Sequence, residues 1–413
     1  MKIDVQAILD KIYNTPIPEV KKVAVAFSGG LDSCLAIELL RRVYKAQEIV
    51  PITIDVGQGE QELNEVHAKA KLLGITPIII DAKKEFSDIW LTQAIQANSN
   101  YNGYPVSTSM TRQLVARIVA LEAMKLGCDA ILEGSTGKGN DQYRMHIVFK
   151  SFAPQLEILV PVRDFDLTRT EEVALCVHWN IPVTEQITGG DDKTMWCRSI
   201  ASGAVGLNQQ IPDDVWLWLV PSLKASDKAI TVTITFKEGI PVVLDGKDMP
   251  LDQLVAHLNT IAGAHGIGLI DMFEDGIMGL KSREIYEAPA ATVILNCHKD
   301  LEAASLSKEE IQFKKIVDAQ WAYLVYHGLW YHPLKEALDA FIKTTQHYVN
   351  GTYTIMLYKG TMTITNRSLP TSLFFPEVRS ITSKAFNQQW CTNAAKIMGL
   401  PFELMAKRKQ KEM

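Results

Sequence analysis

Residues Val23 to Cys34 read VAVAFSGGLDSC: five apolar residues, Val23 to Phe27, run into Ser28-Gly29-Gly30 and then into the amphipathic segment Leu31 to Tyr44. That order predicts a buried strand, a tight turn and a helix start. Adjacent glycines open backbone conformations closed to other residues, so successive N–H groups can converge on one anion while the helix dipole adds partial positive charge. The stretch is a candidate phosphate cradle.

Outward from it, strand and helix alternate. Helix 31–44 sets Leu31, Leu35 and Leu39 on one face, Ile49 to Val56 reads as a second strand, and residues 57–74 form a helix closed by Gly74. Pro77 to Ile80 is a third strand ending at Asp81, and Ala130 to Leu132 is another. Short alternation of this kind predicts an α/β fold with a doubly wound parallel sheet. Ligands of such sheets sit at the carboxyl ends of the strands, so the loops after Phe27, Ile54, Ile80 and Leu132 are where chemistry is sought.

Two segments there have unusual composition. Tyr101 to Arg112 (YNGYPVSTSMTR) concentrates two tyrosines, four serines and threonines and an arginine before the helical run Gln113 to Leu126. Its plain reading is a helix start capped by Ser107, Thr108 or Ser109. Glu133 to Arg144 (EGSTGKGNDQYR) follows a strand directly and packs three glycines, a lysine, an asparagine, an aspartate and an arginine into twelve residues. Lys138 can neutralise phosphate charge, while Asn140, Asp141 and Arg144 offer donor, acceptor and carboxylate fork for an amino acid.

The 413 residues allow two domains, and 47% apolar with 22% charged residues is the balance of a globular enzyme. A net charge of −5 argues against nucleic acid as the main partner. The N-terminal MKIDVQAILDKIYN lacks the apolar core of a secretory signal, and no apolar run approaches the ~20 residues that cross a bilayer. Six cysteines, none closer than 21 residues to another, leave no CxxC pair, so a reduced cytoplasmic protein is expected. His257, His265 and His298 lie near Asp271, Glu274 and Asp300, but at no metal-ligand spacing. No resident metal is expected.

SGGxDS, read here at Ser28 to Ser33, resembles the signature loop of the ATP pyrophosphatases, while neither GxxxxGK[ST] nor a GxGxxG after this strand is present. Taken with YPxxTSxxR at Tyr104 to Arg112 and TGKGNDQxR at Thr136 to Arg144, the chain resembles the argininosuccinate synthases. HGIGLIDMFEDGIMGLKSREIYEAP at 265–289 and KIMGLPFEL near the end are similar to further signatures of that family, so the likeness covers nearly the whole chain.

The resemblance implies a PP-loop domain over residues 1–183, of the adenine nucleotide alpha hydrolase-like kind, an α+β synthetase domain over 184–385 and an oligomerisation tail over 386–413. Within the second, the residues themselves suggest antiparallel hairpins at 230–244 and 352–366 and helices at 251–264, 308–328 and 332–350. The family reaction is a C–N ligation: ATP, with Mg2+ held mostly by its phosphates, activates citrulline as an adenylate, and aspartate displaces AMP. A homotetramer is implied, with the tail face Met398, Leu400, Phe402 and Leu404 embracing a neighbour.

Carried over by matched position, ATP would meet Ala26, Phe27, Ser28, Gly29, Gly30, Leu31, Asp32, Ser33, Cys34, Ile54, Gly134, Gly137, Lys138 and Gly139. Citrulline would meet Tyr104, Ser109, Asn140, Arg144, Ser199, Glu274 and Tyr286, and aspartate would meet Thr136, Asn140 and Asp141. Catalytic roles fall to Asp32, Lys138 and Asp141. The chain departs from the family where SGGLDTS becomes Ser33-Cys34, where RFE becomes Arg144-Met145-His146, and where Gly190 and Thr194 replace a serine and an asparagine. The departure around Gly190 keeps open a paralogue acting on a different ureido or carbonyl substrate, while the intact Ser28, Asp32, Lys138, Asn140 and Asp141 weigh against the other alternative, a nucleotide-binding relative without turnover.

Overall fold

The computed structural model describes residues 4–181, 192–202, 207–208 and 210–411. Gly190 and the boundary expected at 183 lie outside the described residues. Helix α1 (Val5–Asn14) is capped by Asp4, whose carboxylate accepts the N–H groups of Gln6 and Ala7. The order then runs β1 (Lys22–Ala26), α2 (Leu31–Arg42), β2 (Glu48–Asp55), α3 (Glu60–Leu72), β3 (Ile78–Asp81), α4 (Lys83–Glu85), a π-helical turn at Phe86–Leu91 and α5 (Thr92–Gln96). After these come α6 (Thr108–Lys125), β4 (Ala130–Leu132), α7 (Asp141–Phe152), β5 (Glu157–Leu159), α8 (Pro161–Asp164) and α9 (Arg169–His178).

The five strands form one parallel sheet in the order β3-β2-β1-β4-β5. Chain order reverses between β1 and β4, which opens the ligand crevice there. Both faces are covered. Val23 and Val25 pack with Ile12, Leu35 and Leu175, while Ala24 and Ile131 face Leu114, Val119 and Phe149 on the other side. Burial on both faces is why these strands read as unbroken apolar runs.

Beyond the first sheet lie β6 (Asp192–Lys193), β7 (Arg198–Ser202), β8 (Ile230–Lys237), β9 (Ile240–Leu244), β10 (Lys247–Asp248) and α10 (Leu251–Ala264). They are followed by β11 (Leu269–Asp275), β12 (Lys281–Glu287), α11 (Pro289–Ser305), α12 (Lys308–Tyr326), α13 (Pro333–Thr345), β13 (Gly351–Tyr358) and β14 (Thr361–Ser368). The two expected hairpins are one sheet, β10-β9-β8-β13-β14, joined where Val232 stands opposite Ile355. A second antiparallel sheet, β11-β12-β7-β6, sets Ser199 opposite Tyr286 and Glu274 one residue before the turn end of its strand.

Compactness divides the chain into Met1–Thr371 and Ser372–Met413. The second unit holds α14 (Pro376–Arg379) and α15 (Trp390–Lys411), and its Met398, Leu400, Phe402 and Leu404 are exposed. Among the described residues no helix is long and apolar enough to cross a membrane.

Candidate active site

The turn between β1 and α2 is built by backbone. Gly29 has φ +71°, and a Cβ there would stand 3.1 Å from a Val66 methyl and 3.2 Å from the Val66 Cα, so this position requires glycine. Gly30 donates its N–H to Ser28 Oγ at 3.3 Å, and Ser33 Oγ donates to the Gly30 carbonyl at 3.0 Å. Lys69 Nζ and the Cys34 thiol both donate to the Gly29 carbonyl, at 2.8 and 3.6 Å. The cysteine at 34 thus serves as a buried hydrogen-bond donor, and burial pushes its thiol up to about 11, outside the range of a nucleophile. Asp32, in the first turn of α2, pairs with Arg169 of α9.

Across the crevice, the segment after β4 lies directly on this turn. A Cβ at Gly134 would come within 3.2 Å of the Asp32 Cβ and 3.3 Å of the Ser33 nitrogen, so only glycine allows that approach. Thr136 accepts the Gly139 N–H at 3.3 Å, and the Gln142 side chain donates to the Gly137 carbonyl at 2.7 Å. Lys138 stands exposed at the tip of the loop. Glu133 is buried at the end of β4: one carboxylate oxygen accepts the Ser135 N–H at 2.9 Å, the other has no donor among the described residues, and burial pushes the group up to about 7. Ala26 and Phe27 end β1, Leu31 opens α2, and Ile54 is sunk in the core with its carbonyl accepting the Gln58 amide at 3.1 Å.

The far end of the same segment enters a dense polar cluster. Asp141 accepts from Arg112 Nε at 2.7 Å and from an Arg144 guanidinium nitrogen at 3.0 Å, while Arg112 also reaches Asp192 at 2.6 Å. Burial alone would push the Asp141 carboxyl up, but the two guanidinium groups outweigh it and hold the group below its usual value. Arg144 Nε donates to the Tyr326 carbonyl at 2.8 Å, and its guanidinium lies 4.7 Å from the centre of the Tyr326 ring. Asn140 donates to the Tyr326 hydroxyl at 3.1 Å and accepts the Ile277 N–H at 2.8 Å.

Glu274, from β11, closes the cluster. It accepts from the Tyr286 hydroxyl at 2.9 Å and from the Tyr326 hydroxyl. Burial raises its carboxyl pKa despite those two donors. Tyr104 stacks on Tyr286 with ring centres 4.5 Å apart, and Tyr101 stacks on Tyr326 at 3.8 Å.

Two expectations change here. The start of α6 is capped by a phenol, since the Tyr104 oxygen accepts the N–H groups of Ser107 and Thr108 at 2.8 and 2.7 Å, and the helix begins at Thr108 instead of Gln113. The Ser107 hydroxyl turns to Thr194 at 2.7 Å, and Thr194 also accepts the Trp196 and Cys197 N–H groups. Thr194 therefore folds the turn before β7. Ser109 is fully buried with no partner for its hydroxyl among the described residues, and Ser199 is half-buried beside Tyr286 in the neighbouring strand.

Nearly all the named positions therefore fall on three adjoining pieces: the turn after β1, the segment after β4, and the β11–β12 face with α12. Tyr326 and Arg112 were missed as site residues, though each joins several of the named groups. Tyr326 sits inside a long amphipathic helix, where its spacing reads as core. Arg112 closes a motif whose composition is dominated by hydroxyl residues.

Comparison with known proteins gives the same reading over the full length. Residues 22–182 match the arginosuccinate synthase N-terminal HUP domain, and residues 190–405 match the arginosuccinate synthase C-terminal domain. Similar proteins include the argininosuccinate synthases of Methanopyrus kandleri, 41% identical over 94% of this chain and 99% of the relative, and of Methanocaldococcus jannaschii, 40% identical over 95% and 100%. That of Pyrococcus furiosus is 41% identical over 89% of each. With two domain matches and relatives of this identity along almost its whole length, the chain belongs to the argininosuccinate synthase family.

Proposed function

We propose that the chain condenses citrulline and aspartate to argininosuccinate at the cost of ATP, releasing AMP and pyrophosphate. A urea oxygen is a poor leaving group and must be activated. The ureido oxygen of citrulline attacks the α-phosphorus, forming a P–O bond as the bond to the pyrophosphate breaks. The aspartate amine then forms the C–N bond, and the C–O bond to AMP breaks.

The turn at Ser28 to Ser33, with Lys138 and the N-terminus of α2, would hold the polyphosphate, and Mg2+ would enter as its counterion, bound through phosphate oxygens. Asn140, Arg144, Glu274 and Tyr286, with Tyr104, Ser109 and Ser199, would bind citrulline, and the orphaned hydroxyl of Ser109 is a group that a ligand would satisfy. Asp141, kept ionised by two arginines, suits the ammonium of aspartate, beside Thr136 and Asn140. Catalysis then rests on positioning and fixed charge, without a covalent nucleophile.

One observation carries this reading. A single segment, Gly134 to Arg144, packs at one end on Asp32 and Ser33 and at the other pairs with Tyr326, which holds Glu274. Such a segment would hold a phosphate site and an amino-acid site at a short, fixed separation. The test is AMP and pyrophosphate release with ATP: it should require citrulline and aspartate together, and release with another ureido compound but not with citrulline would favour the paralogue.

A cytoplasmic homotetramer closed by the tail is part of the proposal. Deleting residues 394–413 should lower the mass seen by light scattering, and an unchanged mass would remove the tail from the interface.

A further inference from the structure

Two carboxyl groups share one guanidinium behind the phosphate turn. Asp32 stands in the first turn of α2 and Glu172 in the first turn of α9, and the same guanidinium nitrogen of Arg169 lies within ion-pair reach of an oxygen of each. The Glu172 side chain is 1% exposed, and its Oε2 has no hydrogen-bond donor among the described residues. Arg169 pairs with Asp32 and stands 3.5 Å from Glu172 Oε2, an ion-pair distance at which no hydrogen bond forms. One guanidinium therefore serves two acids.

Two carboxylates in contact do not both ionise, because each raises the cost of charging the other. One proton resolves both the repulsion and the charge count. It belongs on Glu172, the buried member, since Asp32 is 26% exposed and directly paired with Arg169.

We propose that Glu172 is a positioning residue of the phosphate turn, a neutral carboxylic acid that donates a hydrogen bond to Asp32 and leaves Arg169 free to turn toward the polyphosphate of ATP. Arg169 is suited to that movement, with a side chain 57% exposed. Its part in binding ATP rests on the function proposed above, whereas the protonation of Glu172 does not.

The surroundings agree. Cys34 on α2 and Cys176 on α9 are neutral thiols, pushed up to about 11 and about 12 by burial. Helix α1 packs on α9 but aims Lys11 at Asp166, with its charge acting on Glu171. Burial, and then the contact with Asp32, push Glu172 from 4.5 up to about 9. The folded chain thus keeps the proton where the unfolded chain loses it, so the stability from this group is complete below 4.5 and is lost as pH rises toward 9.

The experiment uses Glu172→Gln, which keeps shape and donor but cannot ionise, and Glu172→Ala, which removes both. In melting curves of the whole protein, Glu172→Gln should match wild type near pH 5 and exceed it increasingly toward pH 9. A protonated-carboxyl infrared band should persist in wild type at pH 7.5 and be missing from Glu172→Gln. The KM for ATP should stay within about twofold in Glu172→Gln and rise about tenfold in Glu172→Ala with a smaller change in kcat, the loss typical of a hydrogen bond to a charged group. Parallel melting curves, or no such band, would overturn the proposal. Should Glu172→Ala fail to fold, the glutamine variant decides it. Wild type that releases no AMP with citrulline and aspartate would count against the proposed function, while the melting and infrared results would still decide Glu172.

Discussion

The proposed phosphate side and the proposed amino-acid side of the crevice are built differently. Around Ser28 to Ser33 the geometry comes from backbone: a left-handed glycine, a helix start and a close approach by Gly134, with Lys138 and Arg169 extending outward. Around Asn140 to Arg144 it comes from side chains that already satisfy one another, through Asp141, Arg112, Tyr326 and Glu274. One side is shaped before a ligand arrives. The other has these charged and phenolic groups engaged within the protein and leaves the Ser109 hydroxyl open, so an incoming amino acid must mostly exchange hydrogen bonds instead of adding them, and affinity there should depend on small differences.

The sharpest break of this contrast is on the phosphate side. Asp32→Ala and Lys138→Ala should each lower the rate of AMP formation by ~10²–10³, and the melting temperature should stay unchanged in Lys138→Ala, whose side chain stands exposed. Wild-type turnover in either variant would detach that residue from the chemistry.

On the amino-acid side the same kind of change should cost stability too. Arg144→Ala strips a buried partner from Asp141 and from the Tyr326 carbonyl, and should destabilise the fold by about 3 kcal/mol in denaturant titration. A variant as stable as wild type would mean that the cluster is not a structural unit.

A milder change separates binding from folding. Tyr326→Phe removes the hydroxyl that donates to Glu274 and accepts from Asn140, at a cost of about 1 kcal/mol. The KM for citrulline should rise several-fold with kcat nearly kept, and an unchanged KM would take Tyr326 out of the substrate contacts.

The smallest effect concerns Glu133, between the two sides. Its folded value is raised from 4.5 to about 7, so the stability it gives is complete below 4.5 and lost as pH rises through 7. Glu133→Gln should flatten the fall in melting temperature across that window. Curves that stay parallel would show that the group is ionised throughout.

The same contrast explains what could be read from the chain alone. The parallel sheet was legible because strands such as Val23 to Phe27 are buried on both faces, and the phosphate turn because its glycines are forced by backbone. The β11–β12 hairpin was not, since Leu269 and Phe273 point their apolar side chains outward and spoil the alternation expected of a half-buried strand. The phenol cap on α6 was hidden as well. A tyrosine four residues before the helix gives no capping signal, and the serine that does is spent on Thr194. Tyr326 and Glu172 escaped for a common reason: each lies within a helix and acquires its role from an element distant in sequence.

In the proposed reaction the two sides meet at the α-phosphorus, with the citrulline oxygen as attacking group. Citrulline labelled with 18O in its ureido group tests this directly, by mass spectrometry of the AMP released. One labelled oxygen in every AMP is the expected result; AMP free of label would contradict attack by citrulline on ATP.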